Sequence, residues 1–120
     1  MKTVLVVEDT ELNIDLITQL LEDDYNLLIA RDGAQGVEMA LQNNPDLILM
    51  DISLPAIDGY EATRRMRTNS ALKSTPIIGL SAHAMSGDEE RAKSAGCTDY
   101  LTKPINETLL FNMLITYLGE

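Results

Sequence analysis

The stretch Leu47-Ile48-Leu49-Met50-Asp51 sets four apolar residues in a row and closes them with a carboxylate. An apolar run without polar alternation suits a strand covered on both faces, as in a parallel sheet between two helical layers. Val4-Leu5-Val6-Val7, Leu27-Leu28-Ile29 and Ile77-Ile78-Gly79-Leu80 have the same character, and Tyr100-Leu101 is a weaker instance. Between these runs the spacing turns helical. Leu12, Leu16 and Leu20 repeat at i, i+4, i+8, and Val37, Ala40 and Leu41 form a second row that stops at Asn43-Asn44-Pro45. Glu61 to Met66 carries helix formers, and Asp88 to Ala95 ends at Gly96, a helix terminator. Asn106 is placed to cap a last helix with Leu109, Leu110, Met113, Leu114 and Tyr117 inward.

Strand and helix therefore alternate five times, which calls for a parallel sheet with helices on both faces and right-handed crossovers. Pro45 and Pro76 stand just before strands, and Pro55 and Pro104 just after them, so no proline interrupts an element. The 120 residues suit one domain, 1–120, with no second domain beside it.

The formal charge is −10. Residues 1–60 hold 12 acids and 2 bases, whereas residues 61–120 hold 7 of each, so the whole excess lies in the first half. Such a charge argues against direct DNA binding and against anionic membranes. No apolar run approaches the ~20 residues that cross a bilayer, so no membrane insertion is expected. The single Cys97 allows no internal disulfide and no multi-cysteine metal site, and reads as a small buried residue. The chain starts directly on a strand-like segment with no signal peptide ahead of it, so a cytoplasmic location is expected.

In an open parallel sheet, ligands bind outside the carboxyl ends of the strands. There the sequence places Glu8-Asp9, Asp51, Ser81-Ala82 and Thr102-Lys103-Pro104. Three carboxylates at one rim repel each other unless a cation joins them. Oxygen ligands without His or Cys favour Mg²⁺, with Mn²⁺ able to substitute. With Lys103 and Ser81, such a site suits a phosphoryl group, and an Asp carboxylate can be the nucleophile that accepts it. Asp51, after the most apolar strand, is the candidate. Singly, each of these residues is ordinary in a βα loop; together on one rim they are not.

The chain resembles the receiver domain of response regulators, the CheY-like family of two-component signalling. The resemblance rests on Val6-Val7-Glu8-Asp9, on Asp51-Ile-Ser-Leu-Pro55-Ala-Ile-Asp-Gly59, on Ser81-Ala82 and on Tyr100-Leu-Thr-Lys103-Pro104, and it covers the whole chain. It implies a flavodoxin-like α/β fold with strand order 2-1-3-4-5 and five helices. It implies that Asp51 accepts phosphate from a phosphohistidine. It implies that Glu8 and Asp9 hold Mg²⁺ with the Asp51 side chain and the Ser53 carbonyl. Ser81 is then the switch hydroxyl, Lys103 the phosphate partner and Tyr100 the aromatic switch. The Lys103-Pro104 bond is expected to be cis, and Gly59 to serve the turn with φ > 0. Ser53 and His83 would tune the phosphoryl lifetime; for His83, a loop residue with no role is an equal reading.

The implied partners are a sensor histidine kinase or histidine phosphotransfer protein and a downstream protein target. Helix 1 has an apolar arc wider than burial needs: either the core absorbs it, or Ile14, Ile17 and Leu21 form the edge that docks the kinase. The face of helix 4, strand 5 and helix 5, with Met85 and Tyr100, is the expected output surface. Arg64, Arg65 and Arg67 read as a solvated cluster and the six Met residues as core fillers. The expectation is a stand-alone receiver with no output domain and no catalysis beyond its own phosphorylation and dephosphorylation. Alternatives are a phosphate-shuttle receiver in a multistep relay and, less well supported, an Mg-dependent phosphatase with an Asp nucleophile. The phosphatase needs a second Asp where Ser53 stands.

Overall fold

The computed structural model describes residues 1–82 and 88–119, with only the backbone of Asp88. Five strands and five helices follow in strict alternation. They are β1 (Thr3–Val7), α1 (Glu11–Leu21), β2 (Asn26–Ala30), α2 (Gly33–Asn43), β3 (Leu47–Asp51), α3 (Gly59–Arg67), β4 (Ile77–Ser81), α4 (Asp88–Ala95), β5 (Asp99–Thr102) and α5 (Glu107–Leu118). A short 3₁₀ turn, Ser70–Leu72, follows α3 and was not signalled by any apolar period. All strand pairs are parallel, in the order β2-β1-β3-β4-β5. That is the expected doubly wound fold, with β3 central and every one of its residues buried.

Two cores lie on the two faces of the sheet, and strand alternation sorts the side chains between them. Leu5, Val7, Ile48 and Met50 face one core with Ala40, Tyr60, Ala62, Met66, Ala92 and Cys97. Val4, Val6, Leu47 and Leu49 face the other with Ile17, Leu21, Leu110 and Leu114. α1 and α5 thus cover one face, while α2, α3 and α4 cover the opposite one. Burial pushes the Cys97 thiol up, as suits a packed, unreactive side chain.

Asn106 caps α5 as expected, and Asp32 and Asp58 cap α2 and α3 in the same way. Asp32, Asp58 and Asn106 accept the backbone N–H of Gln35, Glu61 and Leu109 at 2.7, 2.9 and 3.0 Å. Asn44 closes α2 in the left-handed region at φ 45°, and Gly96 follows α4 at φ 115°. No helix among the described residues is long and apolar enough to cross a membrane.

Several expectations are corrected. On α1 the buried stripe is Ile14, Ile17 and Leu21, so these three face the sheet and are closed to a docking partner. The outer stripe is Leu12 and Leu16, at 76% and 37% exposure, with Leu20 half-buried. Leu109 on α5 points outward, not inward. Of the methionines, Met50 and Met66 are core, while Met1 is exposed. Arg67 is not part of a solvated cluster. Its guanidinium donates to the carbonyls of Gly96, Leu72 and Thr75 at 2.7–2.8 Å, tying the end of α3 to the starts of β4 and β5. Arg64 and Arg65 do lie at the surface, both paired with Glu61. His83 and Met85 lie outside the described residues.

Candidate functional site

The parallel register brings residues distant in sequence to one rim. Glu8 directly follows β1, and its N–H donates to the carbonyl of Ala30 on β2 at 2.9 Å. Asp51 is the last residue of β3, Ser81 the last of β4, and Lys103 the first after β5. Glu8 is fully buried, while Asp51 and Ser81 are nearly so; Asp9, one residue on, is exposed.

Lys103 binds the buried carboxylates together. Its Nζ lies 2.9 Å from Glu8 Oε1 and 3.2 Å from Asp51 Oδ1. The Ser53 N–H donates to Asp51 Oδ1 at 3.0 Å, and the Thr10 N–H to Glu8 Oε2 at 3.2 Å. Burial, reinforced by the neighbouring Asp51, pushes the Glu8 carboxyl above its ordinary range, against the opposing pull of Lys103 and Thr10. Burial works against the charge of Lys103 too, but Glu8 and Asp51 outweigh it and hold the ammonium above its ordinary value. Lys103 is thus charged at every physiological pH.

Oxygens of Glu8, Asp9 and Asp51 all lie within 4.8 Å of one another. Three carboxylates against one ammonium leave two negative charges at the rim, the complement of one divalent cation. The donors are all hard oxygens, and Asp9 is open to solvent, so the set fits an ion that keeps several waters.

The supporting loops are built for close approach. Gly59 opens α3, and its N–H donates to the Ile52 carbonyl at 3.1 Å. A β-carbon there would run into the Asp51 carbonyl oxygen and lie 2.6 Å from Ile52 Cα. Gly59 is therefore required for packing against the end of β3 rather than for a positive φ. The residue with positive φ in this loop is Ala56, at 62°, a position no sequence signal picked out because alanine has no preference for it. The Lys103-Pro104 bond is cis, as expected. Tyr100, half-buried on β5, lines a groove of ≈ 520 Å³ with Pro104, Leu109 and Met113. Beside it, the Tyr117 hydroxyl donates to Asp99 Oδ2 at 2.8 Å, joining α5 to β5.

Residues 4–115 match the family model of the response regulator receiver domain. The chain belongs to that family. This receiver is 40% identical over 120 residues to the polar-differentiation response regulator DivK of Brucella ovis, covering 99% of this chain and 98% of that protein. Among solved structures it resembles the receiver domain of sensor histidine kinase PA1611 from Pseudomonas aeruginosa PAO1. The identity is 38% and the TM-score 0.91, over 99% of this chain and 98% of that one. That structure has a magnesium ion coordinated in its active-site cleft. The chemotaxis protein CheY4 of Vibrio cholerae superimposes as closely, with a TM-score of 0.91 at 29% identity over 98% of both chains. The receiver's fold and strand order are those of these neighbours.

Proposed function

We propose that this receiver is a phosphorylation switch in which Asp51 is the phosphoacceptor. The carrying observation is the convergence of Glu8, Asp9, Asp51 and Lys103 from three strand ends onto one point, with net charge suited to a dication. Glu8, Asp9 and Asp51, with the Ser53 carbonyl, would hold Mg²⁺ or Mn²⁺, which supplies positive charge to phosphoryl oxygens. An Asp51 oxygen attacks phosphorus in a phosphohistidine. The P–N bond breaks, the imidazole leaves with the electron pair, and an acyl phosphate forms. Lys103 neutralises charge on the phosphoryl oxygens, and the Ser81 hydroxyl donates a hydrogen bond to one of them. The PA1611 neighbour, with magnesium at its own cleft, supports this reading.

A histidine kinase or phosphotransfer protein docks on the exposed leucines of α1, Leu12 and Leu16, and leaves the core residues of that helix untouched. The groove beside Tyr100, between β5 and α5, is the face that reads the phosphoryl state to a target protein. The switch requires only a few kcal/mol of bias between two arrangements.

The test is incubation with Mg²⁺ and acetyl phosphate, read by intact mass. A gain of one phosphoryl group, lost in Asp51→Asn and lost when a chelator removes the metal, is expected. No gain under conditions that phosphorylate a control receiver contradicts the proposal.

A further inference from the structure

Asp23, Asp24 and Tyr25 join α1 to β2 at the amino ends of the strands, the pole away from Asp51. α5 runs back to the same pole and brings Phe111 and Ile115 alongside. With Met1 these residues line a groove of ≈ 560 Å³, within the size range of pockets that receive a ligand or several side chains. Beside Asp23 and Asp24, its wall presents apolar side chains to solvent. Ile115 is 55% exposed and Met1 72% exposed, beside half-buried Phe111. A single exposed apolar residue is ordinary, whereas an adjoining set marks an interaction site.

Charge selects the occupant. Asp23 and Asp24 line this groove, and Glu22 precedes them in the chain; all three are exposed. Among the described residues, no cationic side chain forms an ion pair with any of them. A second copy of this chain would bring a charge of −10 against them, and nucleic acid or anionic lipid would be repelled in the same way. What fits both wall and edge is an apolar surface flanked by Lys or Arg. We infer that this groove docks an amphipathic segment of a partner protein, its apolar face on Phe111 and Ile115 and its basic residues against Glu22, Asp23 and Asp24.

Docking at this pole leaves the rim and the outer face of α1 at Leu12 open. A partner bound here holds the receiver in place without competing with a phosphodonor. The two proposals stand apart: loss of phosphorylation at Asp51 leaves this surface intact, and the reverse.

The test titrates the full ¹⁵N-labelled chain with a synthetic amphipathic helix carrying Leu and Phe on one face and Lys and Arg beside it. Saturable shifts confined to Asp23, Asp24, Tyr25, Phe111 and Ile115 are expected. Ile115→Glu, and separately Asp23→Lys with Asp24→Lys, weaken binding by about tenfold or more, while Leu12→Glu and Asp51→Asn leave it unchanged. The spectra of the free variants verify their folding. Shifts that follow Leu12 and Leu16 overturn the inference. So do shifts spread over all acidic surface that vanish with salt and ignore Ile115→Glu, and so does the absence of saturable binding.

Discussion

Two acidic triads stand at opposite ends of this sheet, and they behave differently. Glu22, Asp23 and Asp24 are consecutive in the chain and all exposed, so water and salt screen them. Glu8, Asp9 and Asp51 come from two strand ends, with Glu8 and Asp51 buried and Lys103 between them. Equal counts of carboxylate thus yield solvated charge at one pole and a largely buried, lysine-bridged cluster at the other. The difference lies in desolvation and in the fold's convergence, not in composition.

Removing Lys103 should break this contrast most severely. Lys103→Ala leaves Glu8 and Asp51 buried without their ammonium, and a loss of about 3 kcal/mol in urea unfolding is expected without Mg²⁺. Because the Lys103 pKa is raised in the fold, its stabilising effect is fully present at neutral pH. It fades only as pH climbs through the raised value. Asp23→Asn with Asp24→Asn should leave the same midpoint unchanged. An equal loss in both variants would mean that the two triads do not differ.

Docking can be separated from chemistry on α1. Leu12→Glu with Leu16→Glu should slow transfer from a phosphohistidine donor by about tenfold or more, the scale of losing an interface anchor. Acetyl phosphate should react at the unaltered rate. Equal slowing with both donors would remove the outer stripe from the account.

Glu8→Gln tests the charge of the rim from the other side. The raised Glu8 pKa means that the folded chain holds the extra proton between the ordinary carboxylate value and the raised one. Stability of the metal-free protein therefore falls as pH rises across that window. Above it, the charged Glu8 weakens the metal-free fold, so Glu8→Gln should raise the thermal midpoint at neutral pH while weakening Mg²⁺ by about tenfold or more. A lowered midpoint with unchanged Mg²⁺ affinity would contradict this assignment.

The smallest effect concerns the loop behind Asp51. Ala56→Gly relieves a left-handed residue and should stabilise the chain by about 0.5–1 kcal/mol in urea unfolding. A destabilised variant would show that the alanine side chain packs usefully there.

The rim was legible in the sequence because a parallel sheet sends every strand's carboxyl end to one edge. Once Leu47–Met50 is read as a covered strand, Asp51 has only one place to go, and Glu8 and Lys103 follow by the same rule. The helix surfaces were not legible in this way. On α1, Leu12-Leu16-Leu20 and Ile14-Ile17-Leu21 are both helical stripes, and periodicity alone does not say which faces the sheet. The structure turns the second one inward, where Ile17 and Leu21 meet Leu49 and Leu114 in one core. Arg67 was misread for a related reason: that its side chain reaches the carbonyls of Leu72, Thr75 and Gly96 is a tertiary fact that no periodicity announces. Gly59 was singled out correctly but for the wrong cause, since crowding by the end of β3 is a tertiary fact.

The contrast between the triads is tested most directly by titrating Mg²⁺ into the ¹⁵N-labelled chain and following every assigned amide. Saturable shifts at Glu8, Asp9, Asp51 and Ser53, with Glu22, Asp23 and Asp24 unmoved at the same concentrations, are the predicted result. Shifts of both triads with one common, weak affinity, or a rim that does not respond, would contradict it.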